Sequence, residues 1–391
     1  MDRLFAYSAE VLSFARPAED RAAPPDNAAL ERMLQRSLRL VRSAQKNHLV
    51  LLGLGSGALA AALARNLPPE VRLLACTLQP ETAHALRQAG DLAWWTPASR
   101  HGLLADTSPW ALLTLLDMAG ATAQTACLLL NPEAAEPERS RLAALQRTLA
   151  AASPLEVPAL DPARAPALSA AAILNPEEPD LDRYFAQFPA WLTELAVVWD
   201  AERVPERAWT CAAPLRQAAR PLGGDFSAQR NAMLALCQGD WVLYLDADET
   251  LLPDDWARIP GLCGQQEAAG WHFPRLTFYP DQDRCRMGLG LWPDFQLRLF
   301  RRDPGLAFVN PVHERLTGLD GPEALALDLA LRHHTHLRKR PEAIRAKLAV
   351  FDQAGNGVRH TLSADYPHLP CNLLEPAPRG LSVRGLLLPS S

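Results

Sequence analysis

Residues 221–257 read PLGGDFSAQRNAMLALCQGDWVLYLDADETLLPDDWA and carry the strongest structural signals in the chain. Asp225 or Ser227 can cap a helix, because apolar residues follow at helical spacing. Gly239 suits the position just past the helix end. Residues 241–245 form an unbroken apolar run, which is typical of a strand covered on both faces. The stretch therefore predicts a loop, a helix, a tight turn and a buried strand.

Three carboxylates come directly after that strand, at Asp246, Asp248 and Glu249. A buried strand that ends in acids is typical of the carboxyl edge of an open α/β sheet, where such folds bind ligands. Asp246 and Asp248 lie two residues apart, so on extended backbone they point the same way and can hold a hard divalent cation. The alternative is a solvated acidic turn. Glu249 is expected to cap the next segment of backbone.

Two blocks of sequence carry a resemblance to one known family. The residues are Asp225-Phe226, Arg230-Asn231, Gly239-Asp240-Trp241 and 245–249 in the first block, and Trp292-Pro293, 296–302 and 308–314 in the second. Both blocks resemble the family 2 inverting glycosyltransferases of the GT-A fold. The likeness is closest to the bacterial branch that includes lipopolysaccharide-core glucosyltransferases, and it spans residues 166–350. The resemblance implies an α/β protein that moves one sugar from a nucleotide-sugar donor to a hydroxyl of a glycan or glycolipid acceptor, with inversion.

The resemblance also implies roles for individual residues. Asp246 and Asp248 are expected to hold Mg²⁺ or Mn²⁺, with Asp248 as the direct ligand, because transfer leaves a diphosphate whose charge a cation neutralises. Glu314 is the candidate base for the acceptor hydroxyl, and we expect it to face the cleft from across the two aspartates without neighbouring them. His313 is expected near the cation or the diphosphate. The alternative for this His-Glu pair is a detail of the surface or core.

The candidate donor-binding residues are Asp200, Arg230, Asp246 and Arg298. Asp200 ends a predicted strand where the family has an Asp that helps to hold the base of the donor, but the Gly-Ser-x-Asp found next in the family is missing. Arg298 belongs to an arginine-rich strand, one face of which either meets the diphosphate or is a solvated edge. Arg230 is expected to brace Asp246 or Asp225 through an ion pair, or else to contact the substrate.

Three histidines lie close together at His333, His334 and His336. No other metal-ligating residue has a spacing that completes a zinc site with them. The family often has a histidine here that closes over the active site, and His334 is the candidate for it.

The N-terminal half contains a glycine turn, Gly53-x-Gly55-x-Gly57, between a predicted strand and a predicted helix. This turn resembles the first motif of S-adenosylmethionine-dependent methyltransferases. Leu51 stands where that family has an acid, and Thr77-Leu78-Gln79 stands where the family acid ends the second strand. We therefore expect a Rossmann-like accessory domain that lacks chemistry, with a methyltransferase as the alternative.

The composition is that of an ordinary globular protein, with 391 residues, 48% hydrophobic and 21% charged. The net charge of -5 argues against a broad nucleic-acid surface, so no nucleic-acid partner is expected. Seven scattered cysteines without a Cys-x-x-Cys pair favour reduced thiols in a cytoplasm. No apolar run reaches the length of a spanning helix. We expect a cytoplasmic protein, with peripheral contact at the inner face of the membrane left open.

These observations together predict a two-domain α/β protein. The alternatives to a glycosyltransferase are the methyltransferase interpretation and a glycan-binding or scaffold protein whose site is degenerate after Asp200. The predicted segments are a leader at 1–29, a Rossmann-like accessory domain at 30–155, a linker at 156–166, a GT-A glycosyltransferase domain at 167–350 and a C-terminal tail at 351–391.

Overall fold

A computed structural model describes residues 2–20, 22–338, 365–375 and 380–389. The chain forms two compact units, and the first runs to Ala152 and also holds Arg284–Asp294 and Tyr366–Leu374. The second unit holds the other described residues, beginning at Ser153. The change of unit therefore comes a few residues before the predicted linker, whose first residues belong to a strand. The helix predicted at 341–354 lies outside the described residues.

The helices are mostly short, and no helix in the described part of the chain is long and apolar enough to cross a membrane. A single 3₁₀ turn is described, at Pro162–Arg164. The α-helices are α1 (Arg3–Phe14), α2 (Asn27–Ala44), α3 (Ala58–Asn66), α4 (Pro80–Gln88), α5 (Pro109–Met118), α6 (Glu138–Ala151), α7 (Leu181–Ala186), α8 (Phe226–Leu236), α9 (Pro253–Trp256), α10 (Ile259–Gly264), α11 (Thr335–Arg338) and α12 (Cys371–Leu374).

The first four strands belong to the first unit and the later strands to the second. The two exceptions, Arg284–Arg286 and His368–Pro370, belong to the first unit. The strands are β1 (His48–Leu52), β2 (Arg72–Thr77), β3 (Gly102–Ala105), β4 (Ala126–Leu130), β5 (Ser153–Val157), β6 (Leu168–Leu174), β7 (Glu194–Trp199), β8 (Leu215–Ala219), β9 (Trp241–Tyr244), β10 (Glu249–Thr250), β11 (Gly270–Phe273), β12 (Arg275–Thr277), β13 (Arg284–Arg286), β14 (Gln296–Arg301), β15 (Ala307–Val309), β16 (Arg315–Thr317), β17 (Glu323–Ala326), β18 (Leu331–His333), β19 (His368–Pro370) and β20 (Val383–Leu387).

The first unit is built on a parallel sheet in the order β3-β2-β1-β4. This is the order of the first four strands in a doubly wound α/β fold. The N-terminal residues, expected to be a loosely held leader, instead form α1, which buries Tyr7 and Val11. The Tyr7 hydroxyl donates to the Asp106 carboxylate at 2.7 Å, and Ser8 donates to the Leu103 carbonyl at 2.7 Å. Burial of these side chains makes α1 part of the unit.

The glycine turn after β1 is packed tightly by the chain itself. Gly53, Gly55 and Gly57 all have positive φ, and a Cβ on Gly55 would lie 2.4 Å from the Cβ of Glu133. One carboxylate oxygen of Glu133 accepts the backbone N–H of Ser56 at 3.1 Å, beside the start of α3. The glycines therefore serve close packing, and an internal carboxylate takes the N–H group that an anionic ligand would use.

A disulfide joins Cys285 to Cys371 within the first unit. The expectation that all seven cysteines are reduced is therefore wrong. These two residues lie 86 apart in sequence, but β13 pairs with β19 and brings their Cα atoms to 5.2 Å. The other five cysteines are free thiols. Such bonds persist mainly in oxidising compartments, so the disulfide does not support a cytoplasmic location. That location stays a prediction.

The second unit is built on a nine-stranded sheet in the order β5-β20-β17-β11-β14-β9-β6-β7-β8. Strands β9, β6, β7 and β8 run parallel, whereas β14 runs antiparallel to β9. Residues of β9 alternate between two cores, with Trp241 and Leu243 in one and Val242 and Tyr244 in the other. The prediction of a strand covered on both faces is confirmed, and with it the α/β class.

Helix α8 precedes β9 as predicted, and its start is capped by Asp225. The Asp225 carboxylate accepts the N–H of Ala228 at 2.9 Å. A glycine is required at position 239 for a different reason from the predicted one. It does not have a positive φ, and a Cβ there would lie 2.5 Å from the backbone N of Ser169. Gly239 is therefore required because the chain between α8 and β9 passes directly against β6.

We expect alkylation of the unfolded, unreduced protein to label five cysteines, because Cys285 and Cys371 are bonded to each other. Mass spectrometry of the intact chain counts the labels, and prior reduction should raise the count to all seven. A Cys211→Ser variant, which removes a free thiol, should lower both counts by one. Seven labels without reduction, in protein purified under oxidising conditions, would show that the bond does not form.

Candidate active site

A cavity of about 400 Å³ opens in the second unit where the parallel strands β6, β7 and β9 end. Carboxyl ends of neighbouring parallel strands meet at one edge, which is where open α/β sheets bind ligands. The start of α8 and the segment before β16 complete the wall. Of the seven predicted site residues, only Arg298 does not line the cavity. The six that do are Asp200, Arg230, Asp246, Asp248, His313 and Glu314.

Asp246 is held by two arginines. Its Oδ1 accepts from the Nη2 of Arg230 at 3.1 Å, and its Oδ2 accepts from the Nη2 of Arg298 at 2.6 Å. Both guanidinium groups also pack over the ring of Tyr244, at 4.7 and 4.6 Å from its centre. The ion pair expected between Arg230 and Asp246 is therefore present, and both oxygens of this carboxylate are bonded to arginine.

Arg298 is buried beneath the cavity. Burial by itself lowers the pKa of its guanidinium, but the carboxylates of Asp246 and Glu249 outweigh that effect and raise the pKa well above its ordinary value. Arg298 therefore remains charged, and it braces the acids from below.

Glu249 belongs to the ion pairs behind the cavity, a role that the sequence did not indicate. It is fully buried, and its Oε1 accepts from Arg298 at 2.7 Å and lies 3.4 Å from the Nη1 of Arg275. Its Oε2 accepts the backbone N–H of Asp246 at 3.1 Å. Glu249 therefore folds back onto the preceding turn instead of capping the next segment of backbone. The sequence shows that Glu249 comes directly after Asp-x-Asp, but it does not show that the side chain is buried.

Asp248 is buried beside a histidine. Its side chain is 9% exposed, and its Oδ2 is 3.6 Å from the Nε2 of His333. The N–H of His334 donates to the Asp248 carbonyl at 2.9 Å. The two aspartates of the motif thus have different surroundings, because Asp246 lies between two arginines.

The histidine beside Asp248 is His333, whereas the sequence pointed to His334. The His334 ring bonds the Thr250 hydroxyl at 2.8 Å and stacks on Phe278. Burial, with help from the charge of Arg338, lowers the pKa of His334 to about 4, so the ring is neutral at pH 7. Among the described residues, no three His, Cys, Asp or Glu side chains are arranged to hold a metal.

Asp200 closes the end of β7. Its Oδ1 accepts the N–H of Leu222 at 2.8 Å, and its Oδ2 is 3.4 Å from the side-chain nitrogen of Asn175. Asp200 therefore fastens the loop before α8 to the ends of two strands while it lines the cavity. These bonds give Asp200 a structural role at the cavity.

Glu314 lies closer to the aspartates than predicted. Its Oε1 accepts from the Nε of Arg230, whose Nη2 bonds Asp246, so one guanidinium group separates the two carboxylates. The segment is held by Asn231, whose side chain exchanges two hydrogen bonds with the backbone of Phe308 at 2.8 and 2.9 Å. Glu314 therefore neighbours Asp246, contrary to the expectation that it would not.

His313 adopts a left-handed backbone conformation, with φ of 56°, and its side chain is exposed at the cavity. A non-glycine residue with positive φ is uncommon and is retained when the surrounding structure requires it. The strained turn directs Glu314 back toward α8. The His-Glu pair is thus part of the cavity wall.

The cavity wall is acidic, because five carboxylates and two arginines line it. The arginines are Arg230 and Arg275, and both face carboxylates. An anionic ligand such as a diphosphate is repelled by this wall unless a cation accompanies it. The wall by itself favours cations.

Comparison with known proteins points to one family for the middle of the chain. Residues 217–316 match the family model "Glycosyl transferase family 2". A TPR repeat-containing protein of Synechococcus elongatus is 32% identical over 149 residues, which are 38% of this chain and 34% of that protein. The chain thus spans about a third of that relative. The family match contains Arg230, Asp246, Asp248, Arg298 and Glu314, while Asp200 lies before it.

Solved structures give a weaker likeness. The complex of S. aureus TarS 1–349 with UDP-GlcNAc has a TM-score of 0.31 and 13% identity, covering 49% of this chain and 68% of that one. TarS 1–349 without that ligand has a TM-score of 0.28 and 12% identity, covering 49% and 66%. Likenesses of this size determine neither ligand nor reaction. The α/β class with a glycosyltransferase family 2 stretch is the confirmed part of the prediction.

We expect Glu249→Gln to lower the free energy of unfolding by about 3–5 kcal/mol, because it leaves Arg298 buried with one fewer countercharge. Urea denaturation followed by tryptophan fluorescence measures the change. The matched control is Glu267→Gln at an exposed position of the same unit, with an expected effect within about 0.5 kcal/mol. Equal effects of the two substitutions would show that the buried ion pairs contribute nothing.

Proposed function

We propose that this protein is a glycosyltransferase that moves a sugar from a nucleotide-sugar donor to a hydroxyl of a glycan or glycolipid, with inversion. The observation that carries the proposal is one cavity in which Asp246, Asp248 and Glu314 lie together, inside the stretch that matches glycosyltransferase family 2. The finer assignments belong to the same proposal. They are a GT-A fold of the lipopolysaccharide-core branch for the second unit and a Rossmann-like accessory domain for the first.

Within this proposal, Glu314 is the base. Its Oε1 is bonded to Arg230, and its Oε2 has no hydrogen bond within the part of the chain that the structure describes. Oε2 takes the proton of the acceptor hydroxyl as that oxygen forms a bond to the anomeric carbon. The bond between this carbon and the donor's phosphate oxygen breaks, its electron pair leaves with the diphosphate, and attack from the opposite side inverts the configuration.

A divalent cation, Mg²⁺ or Mn²⁺, is part of the proposal. Asp246 and Asp248 offer carboxylate oxygens at the cavity wall, and Mg²⁺ is commonly bound by one or two carboxylates together with substrate phosphates. Asp248 is the stronger candidate, because both oxygens of Asp246 already accept from arginines. When bound, the cation neutralises the diphosphate charge that the acidic wall opposes.

The donor is proposed to contact Asp200, whose carboxylate lies at the end of β7 beside the cavity. Arg230 and Arg298 were predicted to bind the donor, but their hydrogen bonds go to carboxylates. We assign them to the frame that holds Asp246. His313, exposed at the same wall, is proposed to meet the diphosphate. Peripheral contact with a membrane stays a prediction.

We expect UDP or GDP to bind only with Mn²⁺ or Mg²⁺ present, and binding to weaken at least about tenfold in Asp248→Asn, which keeps the size and removes the charge. Isothermal titration calorimetry with and without EDTA measures both effects. Asp254→Asn, at an exposed position outside the cavity, should leave them unchanged. An Asp248→Asn variant that binds as the parent does, with the same response to EDTA, contradicts the cation assignment.

We expect Glu314→Gln to lower the rate of sugar transfer or donor hydrolysis by about 10²–10⁴-fold, the usual contribution of general-base catalysis. A panel of UDP-, GDP- and dTDP-hexoses with Mn²⁺ identifies the donor that the parent hydrolyses fastest, and that donor is then used throughout. UDP or GDP binding should change little, because the cation acids are intact. A parallel fall in melting temperature and nucleotide affinity would instead indicate a structural role for Glu314.

A further inference from the structure

Arg230 lies between the proposed base and the proposed cation site. Its Nε donates to the Oε1 of Glu314, and its Nη2 donates to the Oδ1 of Asp246 at 3.1 Å. The side chain is 8% exposed, and its remaining terminal nitrogen, Nη1, is buried without a hydrogen-bond partner among the described residues. One planar group thus sets the separation and the orientation of two carboxylates that come from distant parts of the chain.

The position of Arg230 is fixed from several sides. It belongs to the second turn of α8, whose start is held by the Asp225 cap. Its guanidinium group lies over the ring of Tyr244 at 4.7 Å and near the ring of Phe308 at 5.8 Å. Because the rings and the two carboxylates each restrict the plane of the guanidinium group, its rotation would break several contacts at once.

This arrangement distinguishes the two oxygens of Glu314. The Oε1 atom is occupied by Arg230, whereas Oε2 carries no hydrogen bond within the described ranges. Glu314 lines the cavity, and 17% of its side chain is exposed. Arg230 is bonded to both Glu314 and Asp246, so its positive charge reduces the repulsion between these two carboxylates.

We infer that Arg230 is a positioning residue that holds Glu314 with Oε2 toward the acceptor hydroxyl, at a fixed distance from the Asp246–Asp248 pair. The inference rests on the proposed function. It requires the fork of a guanidinium group, because a lysine ammonium is a single point that lacks the planar, two-sided geometry. Arg230 acts through Glu314, and its contribution therefore depends on that carboxylate.

The test is a double-mutant cycle between Arg230→Lys and Glu314→Gln. The readout is hydrolysis of the nucleotide-sugar that the parent cleaves fastest, with Mn²⁺ present. Arg230→Lys should lower kcat by about 10²-fold, the effect expected of a misplaced catalytic group, with KM for the donor changed less than about threefold. In the Glu314→Gln background, the same substitution should change kcat by less than about threefold, because the group that it positions is gone.

A matched control separates positioning from loss of a buried arginine. Arg258 is 2% exposed in the same unit and bonds the Asp328 carboxylate at 2.7 Å, outside the cavity. Arg258→Lys should reproduce the change in melting temperature seen for Arg230→Lys without the fall in kcat. Arg230→Met should lower kcat further than Arg230→Lys, because lysine still provides one positive charge.

The outcomes distinguish failure of this inference from failure of the proposed glycosyltransferase function. A parent protein that turns over none of the UDP-, GDP- or dTDP-hexoses overturns the proposed function and the inference with it. A parent that turns over, while Arg230→Lys lowers kcat equally in the Glu314 and Glu314→Gln backgrounds, overturns the inference alone. So does a rise in KM that accounts for the whole effect of Arg230→Lys, which would make Arg230 a donor contact.

Discussion

The site depends on one run of alternating charges in which arginines and carboxylates of the second unit bond one another in turn. The members come from α8, the end of β9, the strands β10, β12 and β14, and the segment before β16. Several of them are almost completely removed from water or fully buried, so the loss of one partner leaves an uncompensated charge. In order, the run is Arg275, Glu249, Arg298, Asp246, Arg230 and Glu314.

Because of this run, the two aspartates of the Asp-x-Asp motif have different surroundings. Asp246 belongs to the run and has arginine on both oxygens, while Asp248 lies beside His333. A carboxylate whose two oxygens both accept from arginine is well placed to hold a frame, which leaves its neighbour as the better candidate to bind a cation with substrate phosphates. The same run extends to Glu314, so the proposed base and the proposed cation site share one scaffold.

The first unit shows how a ligand-binding pattern can be used for packing. Its strand order is that of the first four strands of a doubly wound α/β fold, and a turn with three positive-φ glycines follows β1. The carboxylate of Glu133 bonds the turn, and the carboxylate of Glu138 bonds Thr77 and the Leu78 N–H at the end of β2. Internal carboxylates thus bond both the glycine turn and the end of β2.

Local sequence patterns were enough to predict the helix, the buried strand and the sheet edge that carries the site. Apolar periodicity, the Asp225 cap and the acids after a buried run are local signals, and α8, β9 and the cavity result from them. The pairing of charges and of cysteines, in contrast, depends on how distant segments pack together. Arg230 and Glu314 are 84 residues apart, and Cys285 and Cys371 are 86 apart. Neither pairing can be recognised from the periodicity of the sequence. Burial of Glu249 depends on strands that reach it from elsewhere in the chain, because desolvation is a property of the whole fold and not of the neighbouring residues.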